Sequence, residues 1–319
     1  MNKPEDMPVL LLIFNRPETT AKSFAAIAAA KPKRLFVVGD GPRPDHPGEA
    51  ERCAAARNII TSGINWECEL KTCFREKNSG CGPGVTAGID WFFSEVESGA
   101  IIEDDCVAGI DFFRFASAML ERYAADDRVM HVSGDSFIDF PSSSSASYRF
   151  SRYPLSWGWA TWRRAWRHFD YDMNSYPDFR SSGELAEIFP SAPAVRRRWT
   201  AIFDRMHRHA PGFETWDFQW LYAILRRRAF TVVPKFNLVT NIGFDAMHEM
   251  RDGALNIKLG PLPEPLVHPV APEFDDRFDM ALFDLLYRKR PLTERLRKKL
   301  ALWFGEKTRS ATGMTASRS

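Results

Sequence analysis

The sequence predicts an α/β fold in which a mostly parallel β-sheet is covered by helices on both faces. Over the first 135 residues, short apolar segments alternate with longer segments of helical periodicity. The apolar segments are continuous and do not alternate with polar residues, which is typical of strands buried on both faces. Charged residues follow directly after several of them, where the strands of such a sheet end and ligands bind.

The elements are predicted in order from these patterns. Residues 8–14 form the first strand, and residues 17–30 form a helix because Pro17 suits a first turn and alanines follow it. The apolar residues of 84–97 share one helical face and predict another helix. The remaining elements of this half are strands at 34–38, 68–74, 100–102 and 129–133, and helices at 48–62 and from about residue 110.

The second half of the chain has a different character. A serine-rich loop at 142–147 precedes residues 157–220, which hold seven of the ten tryptophans. A strand at 230–233, a proline-rich linker at 261–272 and a basic helical tail complete the chain. We therefore predict one domain with halves at 1–135 and 136–260, followed by a linker and tail at 261–319.

Composition excludes several classes of protein. No run of ~18 apolar residues is present, so we expect no transmembrane helix, and the first residues lack a secretory signal. The five cysteines include no Cys-x-x-Cys pair, which argues against a zinc site or disulfide framework and favours a reduced, cytoplasmic protein. Ten Lys/Arg and two Glu lie from Arg288 onward, so the rest of the chain is acidic and does not fit a nucleic-acid binder.

Three adjacent acids are the most informative feature of the chain. Ile101 and Ile102 end a buried strand, and Glu103, Asp104 and Asp105 follow directly. Like charges this close repel each other unless something compensates them, and a divalent cation holding a nucleotide diphosphate would do so. The alternative is a solvated turn whose charges favour the positive end of the next helix.

Seven short motifs in a fixed order resemble one enzyme family. They are Phe14-Asn-Arg-Pro17, Val38-Gly-Asp40, Asn78-Ser-Gly-Cys-Gly82, Glu103-Asp-Asp105, Ser156-Trp-Gly-Trp-Ala-Thr-Trp162, Trp216-Asp-Phe-Gln-Trp220 and Asn241-Ile-Gly-Phe-Asp-Ala-Met-His248. Over residues 8–250 the chain resembles GT-A-type nucleotide-diphospho-sugar glycosyltransferases, the bacterial relatives of the N-acetylglucosaminyltransferase I family. The resemblance implies a GT-A fold and metal-dependent sugar transfer with inversion. It makes 1–135 the nucleotide-sugar-binding half and 136–260 the acceptor-binding, catalytic half.

The resemblance also implies roles for residues on the donor side. Arg16 and Asp40 match the pair that hydrogen-bonds the nucleotide base, although Asp40 would also suit a turn beside Gly41. Asn78 belongs to the third motif. Arg75 and Lys77 come just before this motif, where their charges would meet the diphosphate.

The resemblance places the metal at the acidic trio. Asp105 matches the direct ligand of Mn²⁺ or Mg²⁺, and Glu103 and Asp104 would hold ribose and donor-sugar hydroxyls. One carboxylate suffices because substrate phosphates supply further oxygen ligands. His248 resembles a histidine ligand that some members add, and imidazole suits Mn²⁺ better than Mg²⁺.

Asp217 resembles the general base of the family. A carboxylate within hydrogen-bond reach must accept the proton of the acceptor hydroxyl, and flanking tryptophans would raise its basicity by desolvation. Glu214 is the rival candidate, and Asp217 as a helix cap is the structural alternative.

The tryptophan-rich motif around Gly158 has two interpretations. Trp157, Trp159 and Trp162 would form a lid and wall for a sugar, or they would pack in the core, and we expect some of each.

Two other functions are open. A nucleotidyltransferase has a related fold but needs a glycine-rich, basic loop after the first strand, and Phe14–Pro17 is poor in glycine. A non-catalytic carbohydrate-binding protein would have no need for both the acidic trio and Asp217.

The resemblance favours a UDP-sugar donor and a cell-surface glycan or glycolipid acceptor. The tail beyond Arg288 is basic and amphipathic, which suits peripheral contact with anionic lipid at the inner face of a membrane.

Overall fold

An eight-stranded sheet lies at the centre of the protein. The structure is a computed structural model and describes residues 3–138, 145–210, 212, 214–243 and 259–288. Its strands are β1 (Val9–Ile13), β2 (Arg34–Gly39), β3 (Glu69–Phe74), β4 (Ser98–Glu103), β5 (Cys106–Ala108), β6 (Val129–Ser133), β7 (Tyr148–Ser151), β8 (Trp159–Trp162), β9 (Phe230–Pro234) and β10 (Val239–Asn241). The order in the main sheet is β3-β2-β1-β4-β8-β6-β9-β7, and β5 pairs separately with β10.

The main sheet is mostly parallel. Neighbours β3, β2, β1 and β4 are parallel, and so are β6 and β9. Strands β8 and β7 run against their neighbours. Every residue of β1 and β6 is buried, as the continuous apolar pattern predicts.

Helices cover both faces of the sheet. They are α1 (Pro17–Ala30), α2 (Glu49–Gly63), α3 (Cys81–Glu95), α4 (Ile110–Arg122), α5 (Arg163–Trp166), α6 (Tyr176–Ser182), α7 (Glu184–Ile188), α8 (Pro193–His207), α9 (Asp217–Arg226) and α10 (Asp276–Leu286), after a short 3₁₀ helix at Pro4–Asp6. Helix α1 contacts α2 and α4, whereas α3 contacts α5. The predicted α/β fold class is confirmed.

The strand order reverses between β1 and β4. The chain runs from β1 outward through β2 to β3 and then crosses back to β4 on the other side of β1. Right-handed crossovers place α3 on the face opposite α1 and α2. In such sheets a crevice opens beyond the carboxyl ends of the two central strands. The segments that follow β1 and β4 therefore lie side by side.

Several elements differ from the sequence prediction. Helix α3 begins at Cys81, three residues before the predicted 84, because Gly80 takes a left-handed φ of 81° and Pro83 is tolerated in a first turn. Strands β5, β7, β8 and β10 were not predicted. Each has only three or four residues, too few to show a period.

Strand β8 changes the place of the tryptophan motif. It lies antiparallel between β4 and β6, and all four of its residues are buried. Trp159 is 0% exposed, and the Nε1–H group of Trp162 donates to the carbonyl of Leu120. These two tryptophans are core residues, and neither forms a lid.

Residues up to Leu282 form one compact unit, and the chain from Phe283 is a second unit. No helix of the described residues is both long and apolar enough to cross a membrane. The basic tail beyond Arg288 lies outside the described residues, so its contact with lipid stays a prediction, as do the domain limits at 135 and 260.

The turn before β8 provides a test of this packing. Gly158 and Gly183 have similar left-handed φ angles of 73° and 80°. A Cβ on Gly158 would lie 2.8 Å from Val239 Cγ2, whereas one on Gly183 would meet nothing within 4 Å. We expect Gly183→Ala to cost about 1–2 kcal/mol of stability through its φ angle alone. Gly158→Ala should cost about 1–3 kcal/mol more because of the overlap. Urea denaturation of both variants checks this, and equal losses would contradict the packing.

Candidate active site

Residues from several elements meet around the thiol of Cys81. This residue begins α3, and its thiol is largely covered by neighbouring groups although the residue is exposed as a whole. Burial raises the pKa of the thiol to about 11, and the charges of Glu103, Asp217 and Asp40 raise it further while Arg16 opposes them. The close packing of the first turn of α3 gives the geometry: a Cβ on Gly82 would lie 3.0 Å from the carbonyl oxygen of Thr215, and one on Gly84 would lie 3.3 Å from Asp40 Oδ2. The start of α3 therefore lies beside Asp40 and beside the residues that lead into α9.

Arg16 compensates the acidic trio. It follows β1 and precedes α1, and its guanidinium spans two carboxylates at the end of β4. Nη2 lies 2.7 Å from Asp104 Oδ1, and Nη1 lies 3.0 Å from Asp105 Oδ2. From the sequence, a metal ion was expected to supply the compensating positive charge. In this structure Arg16 provides it.

Asp104 fixes the local backbone. Its second carboxylate oxygen accepts the backbone N–H of Phe14 at 3.1 Å, and its carbonyl accepts the hydroxyl of Ser23. The side chain joins the end of β1 to the end of β4. Burial raises the pKa of Asp104 to about 6, although Arg16 and the Phe14 N–H oppose the rise.

Asp105 is held by the small β5–β10 sheet. Its Oδ1 accepts from Asn241 Nδ2 at 3.3 Å, and its carbonyl accepts the backbone N–H of Ile242. A Cβ on Gly243 would lie 2.1 Å from Asp105 Oδ2, so only glycine fits there. Sequence reasoning assigned no role to Asn241 and Gly243, although both stand in the last of the seven motifs.

Glu103 is the most perturbed member of the trio. Burial raises its pKa to about 8, and Asp105, Asp104 and Asp217 add to the rise against Arg16. One arginine does not neutralise all these acids. Glu103 is therefore mostly protonated at neutral pH in the free protein, and a cationic ligand would favour its ionised form.

Asp40 organises the loop between β3 and α3. It accepts hydrogen bonds from the Asn78 amide at 3.0 Å and from the backbone N–H of Ser79. Arg75 Nη1 lies 3.8 Å from Asp40 Oδ1, and Nη1 is buried without a hydrogen bond in the described residues. Asp40, Arg75 and Asn78 are thus brought together as one cluster.

Asp217 stands at the first position of α9. Its carboxylate accepts from the Thr215 hydroxyl and from the backbone N–H of Phe218, so it also serves the helix start. Burial raises its pKa above the ordinary value, against both hydrogen bonds. Glu214 is exposed, three residues away. Of the two candidates, Asp217 is the one whose charge raises the pKa of Glu103.

A buried aromatic cluster supports Asp217. Trp216 stacks on Trp159 with ring centroids 5.4 Å apart. Trp220 Nε1–H donates to His131 Nδ1 at 3.1 Å, and the other nitrogen of His131 bonds the Leu155 carbonyl. Burial lowers the pKa of His131 to about 3, which keeps it neutral. The tryptophans that flank Asp217 are therefore anchored in the core.

Trp157 is the member of its motif that stays near the surface. It is half-buried, and its backbone N–H donates to Asp135 Oδ2 at 2.8 Å. Asp135 is 0% exposed, and its Oδ1 has no hydrogen-bond partner among the described residues. Sequence reasoning missed Asp135. The signal was available, since Asp135 comes directly after a buried strand and a glycine, as Asp40 comes after the glycine that ends β2.

The donor set at this crevice suits a cation that brings its own ligands. No group of three His, Cys, Asp or Glu within the described ranges is arranged to hold a metal by itself. Asp105 instead offers one carboxylate, which Asn241 and Arg16 hold by hydrogen bonds, and a single carboxylate suits a cation whose other ligands are phosphate oxygens. His248 lies outside the described residues.

Comparison with known proteins gives only distant similarity. No family model and no curated protein matches the chain. The 4-diphosphocytidyl-2C-methyl-D-erythritol synthase of Anaerococcus prevotii is 8% identical with a TM-score of 0.37, over 75% of this chain and 94% of that one. UDP-glucose pyrophosphorylase complexed with UDP-glucose is 11% identical with a TM-score of 0.33, over 72% and 90%. HddC from Yersinia pseudotuberculosis is 9% identical with a TM-score of 0.31, over 50% and 77%. These values are too low to indicate a shared reaction.

The raised pKa of Glu103 gives a stability prediction. A carboxyl whose folded pKa is about 8 destabilises the folded protein increasingly as pH rises from its unfolded value towards 8. We expect Glu103→Gln to stabilise the metal-free protein at pH 8 by about 1–3 kcal/mol, allowing for partial exposure. The gain should vanish near pH 4, where the glutamic acid is neutral in both states. Thermal melts with chelator across this range check it, and a gain independent of pH would contradict the assignment.

Proposed function

We propose that this protein is a metal-dependent inverting glycosyltransferase that moves a sugar from a nucleotide-diphosphate donor to a glycan hydroxyl. The observation that supports the proposal is that residues of the separate motifs meet where the strands end. Arg16 pairs with Asp104 and Asp105, and the first turn of α3 lies beside Asp40 and beside Thr215, whose hydroxyl donates to Asp217. Asp217 follows Glu103 by 114 residues, and its charge raises the pKa of Glu103. The resemblance favours UDP as the nucleotide, and the glycolipid or cell-surface acceptor rests on that resemblance alone.

The metal would lie at Asp105. When bound, Mn²⁺ or Mg²⁺ would neutralise the diphosphate leaving group. The Asn241 amide and the Ile242 N–H hold the Asp105 side chain and backbone in place for this role. His248 is proposed as a second ligand because it follows Gly243, which touches Asp105, by five residues.

The donor would lie over the ends of β1, β2 and β4. Arg16 and the Asp40 cluster supply charged groups for the base and the phosphates. Glu103, whose pKa the charges of Asp105, Asp104 and Asp217 raise, would hydrogen-bond donor-sugar hydroxyls. Trp157 is the tryptophan left to contact the sugar, since Trp159 and Trp162 are buried.

Asp217 would act as the base. Its carboxylate accepts the proton of the acceptor hydroxyl while that oxygen forms a bond to the anomeric carbon. The bond from this carbon to the diphosphate oxygen breaks on the opposite face, and its electron pair leaves with the nucleotide. Burial raises the pKa of Asp217 and so increases its basicity.

Two substitutions test the assignment of roles. We expect Asp105→Asn to abolish metal-dependent turnover and to weaken metal binding in the presence of the nucleotide. Asp217→Asn should keep donor binding and reduce transfer by about 100-fold or more, because only the base is lost. Calorimetry with nucleotide-sugars and Mn²⁺, together with a glycosyl-transfer assay, checks both.

Binding and product measurements on the same proteins distinguish the glycosyltransferase from the two alternative functions. Loss of donor binding in both variants would contradict the separate roles of metal ligand and base. Pyrophosphate release from a nucleoside triphosphate and a sugar phosphate would indicate a nucleotidyltransferase. Binding of a free sugar without nucleotide or metal would indicate a carbohydrate-binding protein. A thermal-shift panel is a first screen, since a ligand at ~100 times its Kd adds about 2.7 kcal/mol of stability.

Gly243 provides an independent test of the metal position. A Cβ there would overlap Asp105 Oδ2, so Gly243→Ala should displace the carboxylate and weaken Mn²⁺ binding with nucleotide by about tenfold, or 1.4 kcal/mol. Gly109→Ala, beyond the other end of β5, is the control because its nearest added contact is 3.3 Å. Equal affinities in the two variants would place the metal elsewhere.

A further inference from the structure

Arg16 occupies the place where a cation would approach Asp105. Its two terminal nitrogens bridge Asp104 and Asp105 at 2.7 and 3.0 Å. We infer that Arg16 is the resident counter-cation of the free protein and makes divalent-metal binding at Asp105 conditional on a nucleotide diphosphate. The inference rests on the proposed function and adds an order of binding to it.

The carboxylates of Asp104 and Asp105 are buried and need a counter-charge. Of the basic side chains that the structure describes, Arg16 alone forms an ion pair with the trio. Asp104 is 3% exposed and Asp105 is 8% exposed, so water cannot screen them fully. The free protein therefore needs the guanidinium where it lies.

Both carboxylate oxygens of Asp105 are already hydrogen-bonded, which limits the approach of a cation. Asp105 Oδ2 accepts from Arg16, and Oδ1 accepts from Asn241 and from the Cys106 thiol at 3.4 Å. The backbone of Gly243 closes against the Oδ2 side. A bare divalent cation would have to displace Arg16 or lie beside it, and the two positive charges would repel each other.

A nucleoside diphosphate would remove this repulsion. A nucleoside diphosphate carries enough negative charge to outweigh a divalent cation, so their complex approaches as an anion. Its phosphate oxygens also offer the guanidinium a bidentate acceptor in exchange for Asp105. The Arg16 side chain is 42% exposed and so has room to turn towards the crevice. Metal and nucleotide should therefore bind together, each strengthening the other.

The experiment is a Mn²⁺ titration of the full chain by calorimetry, with and without UDP, GDP, CDP or dTDP. In the wild type, the nucleotide that binds should tighten Mn²⁺ at least tenfold. Arg16→Gln should bind Mn²⁺ alone at least tenfold tighter than the wild type, with the gain from nucleotide reduced by a similar factor. Arg152→Gln is the matched control, because Arg152 also bridges two carboxylates, at 2.6 Å from Asp276 and 2.8 Å from Asp279. It should leave Mn²⁺ binding unchanged.

The outcomes distinguish the inference from the function. If Arg16→Gln binds Mn²⁺ alone no better than the wild type, while the wild type still couples metal to nucleotide, the inference is wrong and the proposed function stands. If the wild type binds neither metal nor any of the nucleotides, the proposed function fails.

Circular dichroism checks the folding of each variant. Should the glutamine variant unfold, Arg16→Lys is the second test, since lysine lacks the fork that spans two carboxylates. It should bind Mn²⁺ alone at least threefold tighter than the wild type, and equal affinity overturns the inference.

Discussion

The ion pair between Arg16 and the carboxylates of Asp104 and Asp105 is the interaction on which the site depends. Buried carboxylates are costly unless a positive charge and hydrogen bonds compensate them. Arg16 can reach them only because β1 and β4 are parallel neighbours whose ends lie together. The same contact joins the start of α1 to the end of β4 through the Asp104 bonds to Phe14 and Ser23. Strand order, helix position and charge placement are therefore linked at one point.

The aromatic residues support the site more than they line it. Trp159 lies in the sheet, Trp216 stacks on it, and Trp220 donates to a neutral histidine in β6. These buried contacts hold the start of α9, where Asp217 stands. Functional side chains need such support because small displacements of a reacting group are costly to catalysis. In contrast, the acids are strongly perturbed: burial raises the pKa of Glu103 and of Asp104, and Arg16 opposes the rise without cancelling it. Shifted pKa values of this kind are common at functional sites.

Most of the fold was predictable from the sequence. The predicted limits of five elements, β1, α1, β2, α2 and β6, lie within one residue of the observed limits. Each of these elements has an apolar run or a helical pattern that extends over five residues or more. The strand-end positions of Arg16, Asp40 and the trio were also predictable. Short strands such as β5 and β10 were not, since three residues show no period. Their pairing nevertheless brings Asn241 and Gly243 to Asp105.

The sequence by itself determined the alternation of strands and helices and the gathering of charge where strands end, because both are local patterns of neighbouring residues. Only the tertiary structure decided which group compensates those charges and which tryptophans are buried. Arg16 and Asp105 are 89 residues apart, and Asn241 and Asp105 are 136 apart. Contacts over such separations depend on how whole strands are ordered and inserted in the sheet, and no local pattern specifies that order.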